Sequence, residues 1–285
     1  MGQYDLGMKA AAENPVTRTA QLFDALSPSY DAVGVDFFAP IAEHLIEHLA
    51  LSPGERLIDI GCGSGRVLLC AADRLGHGAR LTGIDAAPGM IERTRSATTA
   101  AGLTNVELMV MDAQLPDLEP ASFDVVAASL VLFFLPDPLA ALRAWRGLLR
   151  PGGSVGITTF ARQDPAWQDV DSVFDPYLPP GMLDARTSGA RGPFSSDERL
   201  ADLFHAADFS SVRSWHTTLD VVFDDVDHWH RWTMSVGQRA MWQAVPEEAR
   251  TNVLGLASER LADSVGPDGR IHLRQEIRTT VAWNQ

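Results

Sequence analysis

Three glycines at every second position follow a short apolar run that contains one acid. Residues 57–65 read LIDIGCGSG, a pattern typical of a strand that stops in a tight turn. Because glycine has no Cβ and adopts positive φ readily, a ligand can approach the main chain of such a turn closely. A helix predicted from Arg66 to Leu75 directs its positive N-terminal end at the same place. The chemistry this favours is recognition of a nucleoside or an amino-acid-like group, and a plain sharp bend is the alternative.

A second acid lies at the end of the next predicted strand. Residues 80–84 read RLTGI and precede Asp85, which stands 24 residues after Gly61 (85 − 61). An acid at the tip of the second strand of a βαβ unit can accept hydrogen bonds from both hydroxyls of a ribose. The glycine turn and this acid together predict a nucleoside site.

The glycine spacing separates two kinds of nucleoside cofactor. The dinucleotide pattern G-x-G-x-x-G requires a third glycine at the position where this chain has Arg66. The pattern here is D-x-G-x-G-x-G, and it begins at Asp59. A carboxylate at that position suits a ligand that carries a cation and repels a pyrophosphate. The sequence therefore argues against NAD.

With these motifs, residues 22–160 resemble the class I S-adenosylmethionine-dependent methyltransferases. The resemblance is closest to the ubiquinone/menaquinone-biosynthesis type and its small-molecule relatives. It extends to residues 149–153, which read LRPGG and match the family's turn before strand five. The implied fold is α/β, a doubly wound seven-stranded Rossmann-like sheet, and the implied cofactor is S-adenosyl-L-methionine. Beyond residue 160 the resemblance is architectural only.

The resemblance assigns the first part of the cofactor site. The glycine-rich loop, with Gly61, Gly63 and Gly65, would face the methionine part of the cofactor. Asp59 would reach its ammonium group, directly or through water, and Asp85 would hold the ribose.

Two further strand ends complete the implied cofactor site. After a strand predicted over 106–111, Asp112 would accept from the adenine amino group and the N–H of Ala113 would donate to the ring; a turn or N-cap role for Asp112 is the alternative. After a strand over 123–128, the backbone of Ser129 and Leu130 would line the methionine end. Ala86 is assigned to the same site.

The segment around residues 22–31 resembles the family's N-terminal cover, in which an aromatic side chain folds over the cofactor. Tyr30 is the candidate for that role. The alternative interpretation, an ordinary tyrosine packed beside the start of a helix, has equal support.

Residues past 160 must encode the choice of substrate. Strands predicted over 212–223 and 271–283 would form an antiparallel pair that closes the sheet, and helical stretches predicted over 225–244 and 246–263 lie between them. Because ligands bind at the carboxyl ends of parallel strands, this insertion is predicted to form a lid. The predicted division is 1–50 for the N-terminal segment and cover helices, 51–160 for the cofactor-binding core, and 161–285 for the substrate side.

The predicted lid is rich in tryptophan, methionine and histidine: His228, Trp229, His230, Trp232, Met234, Met241 and Trp242. These side chains either fasten the added helices to the domain or line an apolar or aromatic acceptor site. If the acceptor is a phenol or hydroxyl, a general base contributes about 10²- to 10⁴-fold in rate. The candidates for that base are His228, His230 and His216, each of which has a packed or solvated role as its alternative.

The composition limits the classes of molecule that the protein is expected to bind. A formal net charge of −14 opposes binding to nucleic acid. Cys62 and Cys70 are the only cysteines, which excludes a disulfide framework and offers no metal-ligand set. No uninterrupted apolar run reaches membrane-spanning length, so a cytoplasmic location is expected. The sequence is compatible with a homodimer.

The sequence thus predicts a methyltransferase that acts on the O, C or N atom of a small, apolar or aromatic metabolite, as in secondary metabolism. Two alternatives remain. One is an enzyme of the same fold that binds S-adenosylmethionine and catalyses a different reaction. The other is a cofactor-binding protein without catalytic activity.

Overall fold

A computed structural model describes residues 15–76, 78–180, 182 and 185–284. Within these residues one sheet contains seven strands: β1 (Arg56–Ile60), β2 (Arg80–Asp85), β3 (Val106–Val110), β4 (Phe123–Ser129), β5 (Leu149–Phe160), β6 (Ser211–Phe223) and β7 (Ile271–Trp283). Their order across the sheet is β3-β2-β1-β4-β5-β7-β6. Strands β1 to β5 pair in parallel, and β7 runs antiparallel to β5 and β6. The predicted doubly wound sheet is confirmed.

Helices connect and cover the strands. They are α1 (Pro15–Leu26), α2 (Phe38–His48), α3 (Arg66–Leu75), α4 (Pro88–Ala100), α5 (Pro138–Leu148), α6 (Pro165–Asp171), α7 (Ala185–Ser188), α8 (Asp197–Ala206), α9 (Val226–Ser235), α10 (Arg239–Ala244) and α11 (Glu247–Leu261). Among these helices none combines the length and apolar composition that crossing a bilayer requires.

Burial on both faces explains why the central strands are almost continuously apolar. In β1, Leu57 packs in a cluster that includes residues of α2 and α3. The next residue, Ile58, packs with Leu142 and Trp145 of α5 on the opposite face. Side chains alternate across a strand, so a strand covered on both sides needs apolar residues at each position. Polar residues such as Asp59 therefore stand out as sites of function.

The C-terminal strand pair has the predicted arrangement. Strands β6 and β7 pair in register from Ser211↔Trp283 to Phe223↔Ile271, and helices α9 to α11 lie between them in sequence. Two predicted boundaries differ. The helix expected over 225–244 is interrupted at 236–238, because Val236 is extended. The turn expected at 149–153 lies inside β5, whose pairing with β4 shifts register between Phe123 and Val125.

The N-terminal segment docks against α4. The carboxylate of Asp24 accepts a hydrogen bond from the N–H of Gly89 over 2.7 Å, and Arg93 donates to the carbonyl of Ser27 over 3.2 Å. Leu26 is buried in a cluster with Ala87 and Met90 at the start of that helix. These contacts place residues 27–31 beside the glycine-rich loop.

Candidate active site

A cavity opens where the parallel strands end, on the side that the doubly wound fold uses for ligands. All of the predicted cofactor residues except Gly65 line it: Tyr30, Asp59, Gly61, Gly63, Asp85, Ala86, Asp112, Ala113, Ser129 and Leu130. Gly65 instead caps the start of α3 with φ 82°. A Cβ there would lie 3.0 Å from Cγ2 of Thr94. Its contribution is therefore to shape the turn.

The glycine-rich loop is fixed by backbone bonds and by close packing. The N–H groups of Gly61 and Cys62 donate to the carbonyl of Ile84 in β2 over 2.8 and 2.9 Å. Gly61 has φ 70°, and a Cβ there would lie 2.5 Å from Cγ2 of Val131. Any larger residue would strain the backbone and clash. This explains why the sequence places glycine at 61.

Asp85 ties the end of β2 to that loop. One carboxylate oxygen accepts from the N–H of Gly63 over 3.0 Å, and the other accepts from the N–H of Ala87 over 2.9 Å. Burial raises the pKa of Asp85, and these backbone bonds oppose that rise. Each carboxylate oxygen has a second lone pair, so this side chain can still accept from ribose hydroxyls.

Asp59 is the most unusual group in the cavity wall. Its side chain is 1% exposed, and neither carboxylate oxygen has a hydrogen-bond partner among the described residues. Burial raises the pKa of Asp59 well above its ordinary value, and the charge of Asp85 raises it further. A buried acid without a partner is costly unless a ligand supplies one. A cation such as the ammonium group of S-adenosylmethionine fits this position.

The end of β4 holds a strained residue beside the cavity. Leu130 has φ 57°, which is rare for a residue other than glycine. Its N–H donates to the carbonyl and to the hydroxyl of Thr158 in β5, over 3.2 and 3.0 Å. The hydroxyl of Ser129 also bonds to the hydroxyl of Thr158. Strand β5 thus fixes the backbone that faces the predicted methionine end.

The end of β3 combines both interpretations of Asp112. Its carboxylate accepts from the N–H of Gln114 over 2.8 Å, as a turn residue does, and the side chain also lines the cavity. The carbonyl of Ala113 accepts from the indole of Trp145 over 2.7 Å. That bond fixes the main chain directly after the N–H of Ala113, which would donate to an adenine ring.

Tyr30 lies on the glycine-rich loop. A Cβ at Gly63 would be 3.8 Å from Cε1 of this ring. The ring also packs against Phe38, with centroids 4.9 Å apart, and edge-on against Phe23 at 6.0 Å. Burial raises the pKa of Tyr30, so the phenol is neutral at pH 7. The ring therefore contacts the glycine-rich loop, and its role as a cover over the cofactor stays a prediction.

The rest of the cavity wall is mainly aromatic and apolar. Its aromatic residues other than Tyr30 are Phe23, Phe37, Phe38, Phe133, Phe134, Phe160 and Trp232. Arg186 and Gln238 are among the polar residues of the wall that sequence reasoning missed. Neither belongs to a motif, because the substrate side of the chain follows no shared pattern. The only signal was their place past residue 160, in the part of the chain that was expected to encode the choice of substrate.

The structure does not bring the three candidate histidines into this wall. The buried ring of His228 accepts from the N–H of Asp224 over 3.1 Å and bonds to the carbonyl of Val33 over 2.8 Å. His230 packs on Trp242, with ring centroids 4.5 Å apart, and burial lowers its pKa. His216 lies on β6, where its ring bonds to the carboxylates of Asp197 and Glu276. Each of these contacts is structural, so the geometry gives no support to a histidine base.

The predicted lid contributes one of its tryptophans to the cavity. Trp232 lines the wall and packs edge-on against Phe37, with centroids 5.4 Å apart. Trp229 is fully buried, lies outside the lining, and packs against Trp242. Met234 and Met241 likewise lie outside the lining. The segment therefore serves both as core and as cavity wall.

Comparisons with known proteins identify the family of this chain. Residues 58–157 match the family model described as "Methyltransferase domain". Aklanonic acid methyltransferase of Streptomyces sp. strain C5 is 39% identical over 59% of this chain and 76% of its own length. Nocamycin O-methyltransferase of Saccharothrix syringae is 34% identical over 81% of this chain and 86% of its own length. The chain belongs to the class I S-adenosylmethionine-dependent methyltransferases.

A solved structure extends the likeness of the fold to almost the whole chain. The 4+2 cyclase SpnF superposes with a TM-score of 0.58 at 17% identity, over 95% of this chain and 97% of its own. At that identity the likeness concerns the fold alone. The activity follows from the closer relatives: this chain is an S-adenosylmethionine-dependent methyltransferase of small molecules.

Proposed function

We propose that the enzyme methylates an oxygen atom of a small, planar aromatic metabolite. The observation that carries this proposal is that two kinds of residue line one cavity: the glycine-rich loop with the partnerless Asp59, and a set of aromatic side chains such as Phe133 and Trp232. We assign the first set to a cofactor half and the second to an aromatic acceptor half. Flat apolar walls favour flat apolar ligands. The names of the two relatives, an acid methyltransferase and an O-methyltransferase, support oxygen as the target.

The cofactor fits the residues of the first half. Asp59 would pair with its ammonium group, Asp85 would accept from its ribose, and Asp112 with Ala113 would bind its adenine. The loop from Gly61 to Gly65 and the backbone of Ser129, Leu130 and Ala86 would surround the methionine part, under the ring of Tyr30. When bound, S-adenosylmethionine supplies a methyl group that its sulfonium already activates.

The protein's own task is positioning and exclusion of water. The aromatic wall would hold the acceptor oxygen in line with the methyl group, and the cover and the segment around Trp232 would close the site. Effective alignment of two reactants accounts for about 7–11 kcal/mol of a barrier in favourable cases. An acceptor oxygen that is acidic enough to ionise unaided needs no histidine base.

The two alternatives to methyl transfer are not favoured. The cyclase shows that the fold hosts other reactions, but the two relatives described above, each more than 30% identical to this chain, are methyltransferases by name. We also propose the division of labour expected from the sequence: 1–50 as cover, 51–160 as cofactor core, and 161–285 as substrate side. Nucleic acid is a poor partner for a chain of net charge −14. The homodimer and the cellular location stay predictions.

Methyl transfer is tested with cofactor that carries an isotopic label in its methyl group. Purified enzyme is incubated with this cofactor and with extracts that contain aromatic hydroxy and carboxylic acids. Mass spectrometry should find a labelled product heavier by one methylene unit, together with S-adenosylhomocysteine. Heat-inactivated enzyme and the Asp85→Asn variant serve as controls. Cofactor binding without any labelled product would contradict the proposal and favour a non-catalytic role.

A further inference from the structure

A buried polar cluster stands behind the aromatic half of the cavity. It consists of Asp171, Arg186 and Gln238, whose residues are 7%, 6% and 5% exposed. Asp171 accepts a hydrogen bond from Nη2 of Arg186, and its other oxygen accepts from Nε2 of Gln238 over 2.5 Å. The guanidinium of Arg186 also lies over the ring of Trp167, 4.2 Å from its centroid. Of the three, Arg186 and Gln238 line the cavity.

This cluster fixes the orientation of the Gln238 amide. A carboxylate can only accept hydrogen bonds, so the amide must present its NH₂ group to Asp171. Its oxygen, Oε1, is thereby turned away from Asp171. That oxygen is buried and has no hydrogen-bond partner among the described residues. Gln238 follows Val236 and Gly237 in the short connection between α9 and α10, and all three residues line the wall.

An amide oxygen without a partner in an apolar site is costly, and a ligand that donates a hydrogen bond removes that cost. Arg186 does not create the same demand, because Asp171 balances its charge. The cluster therefore calls for a neutral donor on the ligand rather than for an anion. A hydroxyl group on an aromatic ring supplies such a donor.

We propose that Gln238 is a specificity-determining residue that accepts a hydrogen bond from a hydroxyl group of the aromatic acceptor. Asp171 and Arg186 are positioning residues that keep the amide oxygen available. The inference rests on the proposed function, because it assigns this cavity to an aromatic acceptor. It adds that the acceptor carries a free hydroxyl in addition to its flat ring.

Three probes of the same ring system test this recognition. They are 2-naphthol, which donates a hydrogen bond; 2-methoxynaphthalene, which cannot donate; and 2-naphthoate, which is an anion. Binding is measured by titration calorimetry to protein saturated with S-adenosylhomocysteine, at neutral pH. The wild type should bind 2-naphthol about 5- to 100-fold more tightly than 2-methoxynaphthalene, since the methoxy compound leaves the buried amide oxygen unpaired.

Two variants and a matched control separate recognition from stability. Gln238→Met keeps the length of the side chain and should reduce the preference for 2-naphthol to within about 2-fold. Gln275→Met makes the same change at another buried glutamine with a partnerless oxygen, which lies on β7 outside the cavity lining. It should leave the preference unchanged.

Asp171→Asn tests the orientation independently. In this variant the carbonyl of the new amide must still accept from Arg186, so its NH₂ group faces Gln238. The Gln238 amide must then turn its oxygen toward residue 171. The NH₂ group of Gln238 then stands where its oxygen was. We expect this variant to lose the preference for 2-naphthol over 2-methoxynaphthalene while it still binds the methoxy compound.

The outcomes distinguish this inference from the proposed function. An unchanged preference in Gln238→Met, a wild type that prefers 2-naphthoate, or no binding of any of the probes would overturn the role of Gln238. None of these measurements requires methyl transfer. Labelled product formed without a hydroxyl preference would refute only the inference, and a hydroxyl preference without labelled product would refute only the proposed function.

Discussion

Arg66 donates a hydrogen bond from Nε to the carboxylate of Asp31 over 2.6 Å. The Asp31 side chain is 5% exposed and also accepts from the hydroxyl of Ser64 over 3.2 Å. The first residue of α3 is thereby joined to the turn that carries Tyr30. Because Tyr30 lies on Gly63, this ion pair fastens the N-terminal cover to the glycine-rich loop.

Removal of the Arg66 charge should loosen that cover. In Arg66→Gln the buried Asp31 loses its charged donor, and such bonds contribute about 1.5–3 kcal/mol. We expect S-adenosylhomocysteine to bind about 5- to 50-fold more weakly, mainly through faster dissociation. Stopped-flow fluorescence and calorimetry measure the two quantities. Arg150→Gln is the control, since it breaks a half-buried pair with Asp124 far from the cover. Equal losses in both variants would show a general destabilisation instead.

Asp85→Asn should weaken cofactor binding and leave the fold intact. The ribose hydroxyls then lose a charged acceptor, so affinity for S-adenosylmethionine and S-adenosylhomocysteine should fall about 10- to 150-fold. NAD should bind to neither wild type nor variant. The melting temperature of the cofactor-free protein should fall slightly, because the amide of the variant has one acceptor oxygen and cannot accept from both Gly63 and Ala87. Asp220→Asn, at an exposed acid of β6 that pairs with His272, is the matched control. If Asp85→Asn binds the cofactor as tightly as wild type, Asp85 does not bind the ribose.

Asp59 should couple cofactor binding to pH. Its pKa is raised in the folded protein, so the unfolded chain ionises this carboxyl at a lower pH than the folded chain does. Its contribution to stability is therefore most favourable below the ordinary pKa of 3.8 and is lost as pH rises through the folded-state value. The ligand's ammonium group favours the ionised form, so S-adenosylhomocysteine should bind more tightly as pH rises through the same range.

Asp59→Asn provides the test of that coupling. Because the neutral amide removes the cost of a buried charge, the cofactor-free variant should melt at a higher temperature than wild type at pH 7. Its affinity for S-adenosylhomocysteine should be lower and should lose this pH dependence. Calorimetric titrations and thermal unfolding at a series of pH values measure both effects. A variant that binds as tightly as wild type at every pH would show that Asp59 does not hold the ammonium group.

The two tryptophans of α9 should separate into core and cavity wall. Trp229→Ala removes a fully buried ring outside the cavity lining and should cost about 3–5 kcal/mol of stability. Its folded fraction should bind 2-naphthol normally. Trp232→Ala should weaken 2-naphthol binding about 10-fold or more, because each aromatic contact contributes beyond its buried area. Affinity for S-adenosylhomocysteine should not change in either variant. If both variants differ from wild type only in stability, then α9 belongs to the hydrophobic core and does not form a lid over the acceptor site.

The cofactor half of the site was predictable because its constraints are local. A glycine at 61 is required by the backbone and by Val131, and acids at 59 and 85 follow from their places at strand ends. The acceptor half has no such rule. Gln238 and Arg186 are 52 residues apart in the chain (238 − 186), and both form hydrogen bonds to Asp171. Histidine was expected as a base from its chemistry, but packing decides which side chains face a cavity.

The candidate histidines should therefore prove dispensable for chemistry. His216 lies on β6, where its ring bonds to Asp197 over 3.0 Å and to Glu276 over 2.9 Å. His216→Gln and His230→Gln should retain turnover within about 3-fold of wild type, since removal of a true general base costs about 10²- to 10⁴-fold. His228→Gln should lower the melting temperature, because it disturbs the bond to Val33, while kcat of the folded fraction persists. Initial rates with labelled cofactor and an acceptor identified from extracts measure kcat and its pH profile. A loss above about 100-fold in one variant, with its melting temperature unchanged, would restore that histidine as the base and would require the wall around Trp232 to rearrange when the acceptor binds.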